Sequence, residues 1–354
     1  MKVLRRILKR AAYTTLAKTG YLDRSAGSGL AVVTYHGVAP AAYKTTDTGL
    51  DFNLVKAESL RLQLRLLKDR YNVISPREFL CWCESDHKLP MRSVLLTCDD
   101  GLRNTLTEML PILQEFGLSS LFFVTSASLE DRPAALWHDE LQLMFLAAPQ
   151  NVVLELEEIG LSQRATGKQE KRALFRTLVR RLSQYDLKSR RAVVRQIREQ
   201  LALREDWDAE YLRNPVLGCR FFPLSVSELR QLAAAGMSIG AHTLSHPVLS
   251  VAPPDLAWNE ISENRRGLEQ ALGQPVWALA YPFGDPNSVT SRELEMAERA
   301  GFKCAFRNGG GGFGAELPRF GLPRVSVSAE MSLGEFEANV SGFYGSMRKL
   351  YPRS

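Results

Sequence analysis

Short apolar runs alternate with helix-patterned stretches along most of this chain, and that alternation restricts its fold more than any other feature. Residues 30–36, 71–75, 93–98 and 121–125 read as strands. Helical patterns cover 60–67 and 105–116. Pro76 opens a further helix, because proline is tolerated in a first turn. Gly117 closes the 105–116 helix. The rhythm returns with strands at 237–241, 276–281, 302–306 and 324–327. Helices over about 255–272 and 292–300 fall between them, and a last helix follows. Repeated strand-helix units imply an α/β protein with a parallel sheet and outer helices. Seven or eight strands are enough to close a barrel, and no internal sequence repeat is visible.

The rhythm breaks over about 127–220. This stretch is charged, with pairs such as Arg180-Arg181 and Arg190-Arg191. No strand is convincing there, so a helical insertion is expected, either a solvated face or a lid over a groove. The run Gly309-Gly310-Gly311-Gly312 lacks the Gly-Lys-Ser/Thr ending of a phosphate loop and reads as a surface loop. A barrel takes roughly 250 residues, and the chain has 354, of which 45% are hydrophobic. The expected organisation is a basic segment over 1–28, a barrel over 29–330 that contains the insertion, and a C-terminal helix over 331–354.

The start is basic at Lys2, Arg5, Arg6, Lys9, Arg10 and Lys18, with Val3, Leu4, Ile7, Leu8, Ala11 and Leu16 between at helical spacing. It lacks the unbroken apolar stretch of about 7–15 residues that a secretory signal needs. No segment approaches the ~20 apolar residues of a membrane-spanning helix. The amphipathic start either lies on the protein's own body or makes peripheral contact with an anionic membrane. Basic residues number 45 against 39 acidic ones, a net charge of +6. That excess suits an acidic glycan or an anionic surface. No nucleic-acid motif accompanies it, so nucleic acid is not an expected partner. The cysteines are five, Cys81, Cys83, Cys98, Cys219 and Cys304, an odd number with no Cys-x-x-Cys. They do not form a disulfide framework, which favours a reducing compartment. The expected location is cytoplasmic or peripheral to the inner face of the cytoplasmic membrane.

Three segments at strand ends carry chemistry, where parallel barrels place their catalytic groups. The first is Thr97-Cys98-Asp99-Asp100-Gly101. Aspartate is a poor strand residue, and Gly101 permits a sharp turn that aims both carboxylates at one site. Two adjacent carboxylates stay charged together most easily when a cation neutralises one. One metal ligand and one general base is the natural division, although Asp-Asp-Gly is also a common turn. The second is His242-Thr243-Leu244-Ser245-His246. Two histidines four apart can share one face of a helical turn and hold a metal, and the chain has only five histidines. Two histidines and a carboxylate suit a divalent ion that keeps open positions. Such an ion acidifies water and polarises a carbonyl, which is amide-hydrolysis chemistry. The third is Tyr281-Pro282-Phe283-Gly284, a strand end where a backbone N–H could face an oxyanion.

In this order the three motifs resemble the NodB-type polysaccharide deacetylase family. The match covers residues 30–126 and 221–327. Tyr35-His36-Gly37 and Leu322-Pro323-Arg324 are similar to a branch found among exopolysaccharide-synthesis proteins. The resemblance implies a distorted (β/α) barrel and a bound divalent metal, most commonly Zn²⁺, with Co²⁺, Mn²⁺ or Ni²⁺ as the other candidates. It implies de-N-acetylation of an amino sugar in a polysaccharide or glycan precursor. In that reading Asp99 is the general base toward a metal-activated water, Asp100, His242 and His246 are the metal ligands, and Phe283 offers the oxyanion N–H.

This chain departs from the family pattern in three places. Cys98 replaces the usual phenylalanine. Ala280 stands where an arginine is common, and Arg324 is expected to supply that charge to Asp99 from a neighbouring strand. The late Leu-x-His that carries the family's general acid is absent, since no histidine follows His246. His36, at the end of the first strand, is the first candidate for the acid. His138, in Trp137-His138-Asp139, is the second and requires the insertion to fold over the site. Two other readings stay open: a hydrolase of another amide, such as a cyclic imide or ureide, and an inactive glycan-binding protein.

Overall fold

The computed structural model describes residues 12–17, 19–24, 29–44, 53–85, 88–126, 129, 134–204, 206–309 and 318–343. Lys2, Arg5, Arg6, Lys9, Arg10 and Lys18 lie outside the described residues, and with them the expected membrane-facing surface. Glycines 310–312 do as well.

The strands, in chain order, are β1 (Leu30–Tyr35), β2 (Asn72–Ile74), β3 (Ser93–Cys98), β4 (Leu121–Val124), β5 (Val152–Leu156) and β6 (Leu161–Ala165). They continue with β7 (Ser238–Ala241), β8 (Ala278–Ala280), β9 (Cys304–Asn308) and β10 (Leu322–Ser326). Seven of them form a closed parallel barrel in the order β1-β10-β9-β8-β7-β4-β3, and β3 returns to β1. β1 pairs with β3 along its whole length, from Leu30 opposite Ser93 to Tyr35 opposite Cys98. The other edge of β3 is divided. β2 takes Ser93, Val94 and Leu95, and β4 takes Thr97 and Cys98. That shared edge distorts the ring and leaves β2 outside it.

All residues of β1, β3 and β4 are buried, as expected for parallel strands covered on both faces. The two-residue period of a strand then sorts them. Leu30, Val32, Leu95, Phe123, Ala280 and Phe306 join one cluster that fills the ring. Their neighbours Ala31, Val33, Val94, Leu96, Phe122 and Leu279 pack outward with the helices. Helix α1 (Ala57–Arg70) presents Leu60, Leu64 and Leu67 to that outer layer. Helix α2 (Pro76–Glu84) begins at Pro76 behind a Ser75–Glu78 capping box. The expected helix over 105–116 is in fact a wide π turn, Thr105–Met109, that runs into α3 (Leu110–Glu115).

The insertion contains α4 (Trp137–Ala147), α5 (Lys168–Leu182) and α6 (Leu187–Gln200). Contrary to the all-helical expectation, it also holds an antiparallel hairpin of β5 and β6. Val152, Leu154 and Leu156 are buried while Val153 and Glu155 are exposed, a half-covered strand pattern obscured by the surrounding charge. Gly160 sits at the turn with φ +59°, where glycine avoids a steric penalty. Leu141, Met144, Leu154, Leu174, Leu178 and Ile197 belong to a core separate from the barrel's.

The chain re-enters the barrel through α7 (Pro215–Phe221) and α8 (Val226–Ala234). Helices α9 (Pro254–Leu272), α10 (Ser291–Arg299) and α11 (Leu333–Val340) follow. The described start packs on α11: a Cβ at Gly334 would lie 2.9 Å from the Tyr13 backbone. Tyr13 and Tyr21 meet Phe343 edge-on. Among the described residues, no helix is long and apolar enough to cross a membrane. All five cysteines are unpaired.

Candidate active site

Strand alternation delivers the polar groups to the barrel mouth. His36 continues the inward series Leu30, Val32, Thr34, and Asp99 continues Leu95, Thr97. His242 follows Gly240, and Arg324 follows Leu322. The mouth opens on a cavity of about 390 Å³ lined by His36, Asp99, His242, His246, Phe283 and His138, among others.

Asp99 is 1% exposed. Its N–H donates to Tyr35 O at 2.9 Å, which extends the β1–β3 ladder by one residue. Arg324 reaches it from β10 across β1. Nη1 donates to Oδ1 at 2.6 Å and Nη2 to Oδ2 at 2.7 Å. Nη1 also donates to Thr34 Oγ1 at 3.1 Å. Burial pushes the Asp99 carboxyl up, but the guanidinium beside it prevails and holds it below the ordinary range. The charge beside Asp99 thus comes from Arg324, but from β10, which β1 separates from β3, and not from a strand adjoining it. The side chain at position 280 is a buried methyl inside the ring.

At Asp100 the backbone turns, with φ +74°, followed by Gly101 at +66°. A Cβ on Gly101 would sit 2.9 Å from the Val124 side chain. Glycine is therefore required there by both space and dihedral. The turn swings Asp100 toward the histidines. Its Oδ1 lies 3.6 Å from His242 Nε2 and 3.5 Å from His246 Nε2. Burial raises the Asp100 carboxyl, and the adjoining histidines lower it further, well below the carboxylate range.

The two histidines are not on a helical turn, as their spacing suggested. They flank a loop in which Thr243 and His246 have positive φ, +63° and +57°. The side chains converge because the loop folds back, and α9 holds it. Glu260 accepts from Ser245 N at 2.7 Å and from Ser245 Oγ at 2.5 Å. Asn264 Oδ1 accepts from His242 N at 2.8 Å, while its Nδ2 donates to Val124 O. Glu260 and Asn264 escaped the sequence reading. Two polar residues four apart on the inner face of a long helix were the available signal.

His242 Nδ1–H donates to Ala280 O at 2.7 Å, which leaves the Nε2 lone pair toward Asp100. Burial disfavours its charge, yet Asp99 and Asp100 raise its pKa overall. Burial, with His242, His138 and Arg190 nearby, pushes the His246 pKa well down. Asp100 Oδ1 and His246 Nδ1 are buried with no hydrogen-bond partner, a costly state unless another group engages them. Asp100 Oδ1 thus has one ring nitrogen of each histidine within 3.6 Å, a donor set that fits a divalent ion.

Phe283 lines the cavity at φ +59°, and its ring packs on His246 at 5.1 Å between centroids. His36 lines it too, with a buried Nδ1 that has no partner. His138 arrives from the first turn of α4, its ring 5.0 Å from that of His246. The insertion therefore does fold against the site. Trp137 Nε1 and Arg190 Nη1 both donate to His246 O, at 3.1 and 3.3 Å.

Residues 174–305 match the polysaccharide deacetylase family model. That stretch holds His242, His246 and Phe283, while Asp99, Asp100 and Arg324 lie outside it. YxkH of Bacillus subtilis, whose name marks it as a candidate polysaccharide deacetylase, is 26% identical over 117 residues. That is 33% of this chain and 41% of the relative, so the chain spans less than half of the relative's length. The Streptococcus pyogenes deacetylase PplD, solved with acetate, superposes with a TM-score of 0.56 at 17% identity, over 89% of this chain and 99% of that one. IcaB from Ammonifex degensii gives 0.53 at 18%, over 89% and 98%. At such identities the likeness is one of fold. The family model over residues 174–305 and the shared barrel thus liken this chain to polysaccharide deacetylases, in its fold and in the stretch that carries His242, His246 and Phe283.

Proposed function

We propose that this chain hydrolyses the acetamide of an N-acetylated amino sugar in a polysaccharide or glycan precursor. The observation that carries the reading is the buried Asp99–Arg324 pair beside Asp100, His242 and His246 at the mouth of one cavity. Asp100, His242 and His246 would hold a divalent ion, Zn²⁺ by donor chemistry. When bound, the ion lowers the pKa of water and polarises a carbonyl.

The residues divide the remaining work. Asp99 accepts a proton from the attacking water as its oxygen bonds to the carbonyl carbon. Arg324 keeps that carboxylate ionised and oriented. The Phe283 N–H donates to the oxygen that becomes negative. His36, with an unpartnered ring nitrogen at the cavity wall, gives a proton to the leaving amine as the C–N bond breaks. Acetate and the free amino sugar are the products.

The test is release of acetate from N-acetylated hexosamine oligomers, run beside a panel of cyclic imides and ureides. Acetate release that is abolished in Asp99→Asn supports the proposal. Turnover of imides alone moves the chain to another amide. Oligomer binding with no turnover of either class makes it a glycan-binding protein.

A further inference from the structure

We propose that His138 is a further ligand of the metal, supplied by the insertion, so that one ion joins two parts of the chain with separate cores. This rests on the reading of Asp100, His242 and His246 as a metal site. Among the described residues, Asp100, His138 and His246 each offer a ligand atom, and these atoms all lie within 4.8 Å of one another. His138 comes from outside the barrel motifs that carry the other ligands.

Its position is fixed on both sides. Trp137, the residue before it, donates through Nε1 to the carbonyl of His246. Arg190 donates to that same carbonyl, and its guanidinium stacks over the Trp137 ring at 4.8 Å. The start of α4 is thereby tied to the loop that carries a metal ligand. Asp139, the residue after, is buried and accepts from Arg220 Nη1 at 3.2 Å. Its other oxygen lies 3.8 Å from His138 Nδ1. A carboxylate near one ring nitrogen is the usual outer partner of a metal-bound histidine and turns the other nitrogen to the ion.

The experiment compares full-length wild type, His138→Gln and His138→Ala, each checked for folding by circular dichroism. Each is stripped and titrated with Zn²⁺ against a chromophoric chelator. Each is also reloaded with Co²⁺ for visible spectra. Hydrogen exchange of α4 is followed with and without Zn²⁺. The expected result is one ion per chain throughout, bound about 100-fold more weakly in the variants. The Co²⁺ band should change, and Zn²⁺-dependent protection of α4 should disappear. Should the alanine variant fail to fold, the glutamine variant, closer in size, carries the comparison. Wild-type affinity and spectrum in the folded variants would overturn the inference, even with turnover reduced. That result leaves the underlying reading intact. No ion in wild type, or full binding by His242→Ala, would instead overturn the metal site itself.

Discussion

Asp99 and Arg324 are both essentially sealed from solvent, and each makes the other's burial tolerable. Removing one partner of such a pair costs about 3–5 kcal/mol, because the other charge is left uncompensated. Arg324→Met should therefore lower the urea midpoint sharply and suppress turnover. Full activity in Arg324→Ala would sink its assignment. The pH dependence has a definite sign. The native Asp99 pKa lies below its ordinary 3.8. Its stabilising contribution is thus complete above that value and is lost as pH falls through the lower native pKa. In Arg324→Met the depression is gone, so the acid limb of activity should move to higher pH. A pH–rate profile reads this directly. The sequence pointed to Arg324 only through the resemblance. Its inward direction was hidden because both faces of these strands are apolar, so alternation leaves no visible stripe.

Elements place the site through their ends. The Asp99-Asp100-Gly101 turn works because position 101 has positive φ and lies against Val124. Gly101→Ala should cost roughly 1–3 kcal/mol in strain alone. It should also weaken metal binding by displacing Asp100. A thermal melt and a chelator titration on the same sample check both effects. Most ring strands were legible to within a few residues, because uninterrupted burial demands uninterrupted apolar runs. The histidine loop was misread as helical. A four-residue spacing is shared by a helical turn and by a loop folded back on itself. Only the polar anchors Glu260 and Asn264, distant in sequence, separate the two. The β5–β6 hairpin was missed for a different reason. Its strands are only five residues long, and the exposed Val153 beside buried Val152 and Leu154 breaks the alternation that would mark a strand.

At the scale of the molecule, a barrel core and an insertion core meet at the histidine loop. If an ion binds there, it stabilises the native state by about 2.7 kcal/mol when free ion exceeds its dissociation constant 100-fold. Stripping with a chelator should lower the melting temperature, and adding Zn²⁺ back should restore it. A differential scan of stripped and reloaded protein checks this. The separate core of the insertion was not legible in the sequence. Its apolar residues are spread thinly through charged helices and gather only after folding.

Arg324 stands on β10, the last strand of the ring, and it reaches Asp99 on β3 by passing over β1. On a ribosome those strands appear in order, and more than two hundred residues separate Asp99 from Arg324. While the chain is still growing, the Asp99 carboxylate has no arginine to meet and keeps its water. Its arginine partner arrives only when the final strand slots between β9 and β1. Closing the ring and pairing Asp99 with Arg324 both require the last strand, so neither is complete until β10 is in place.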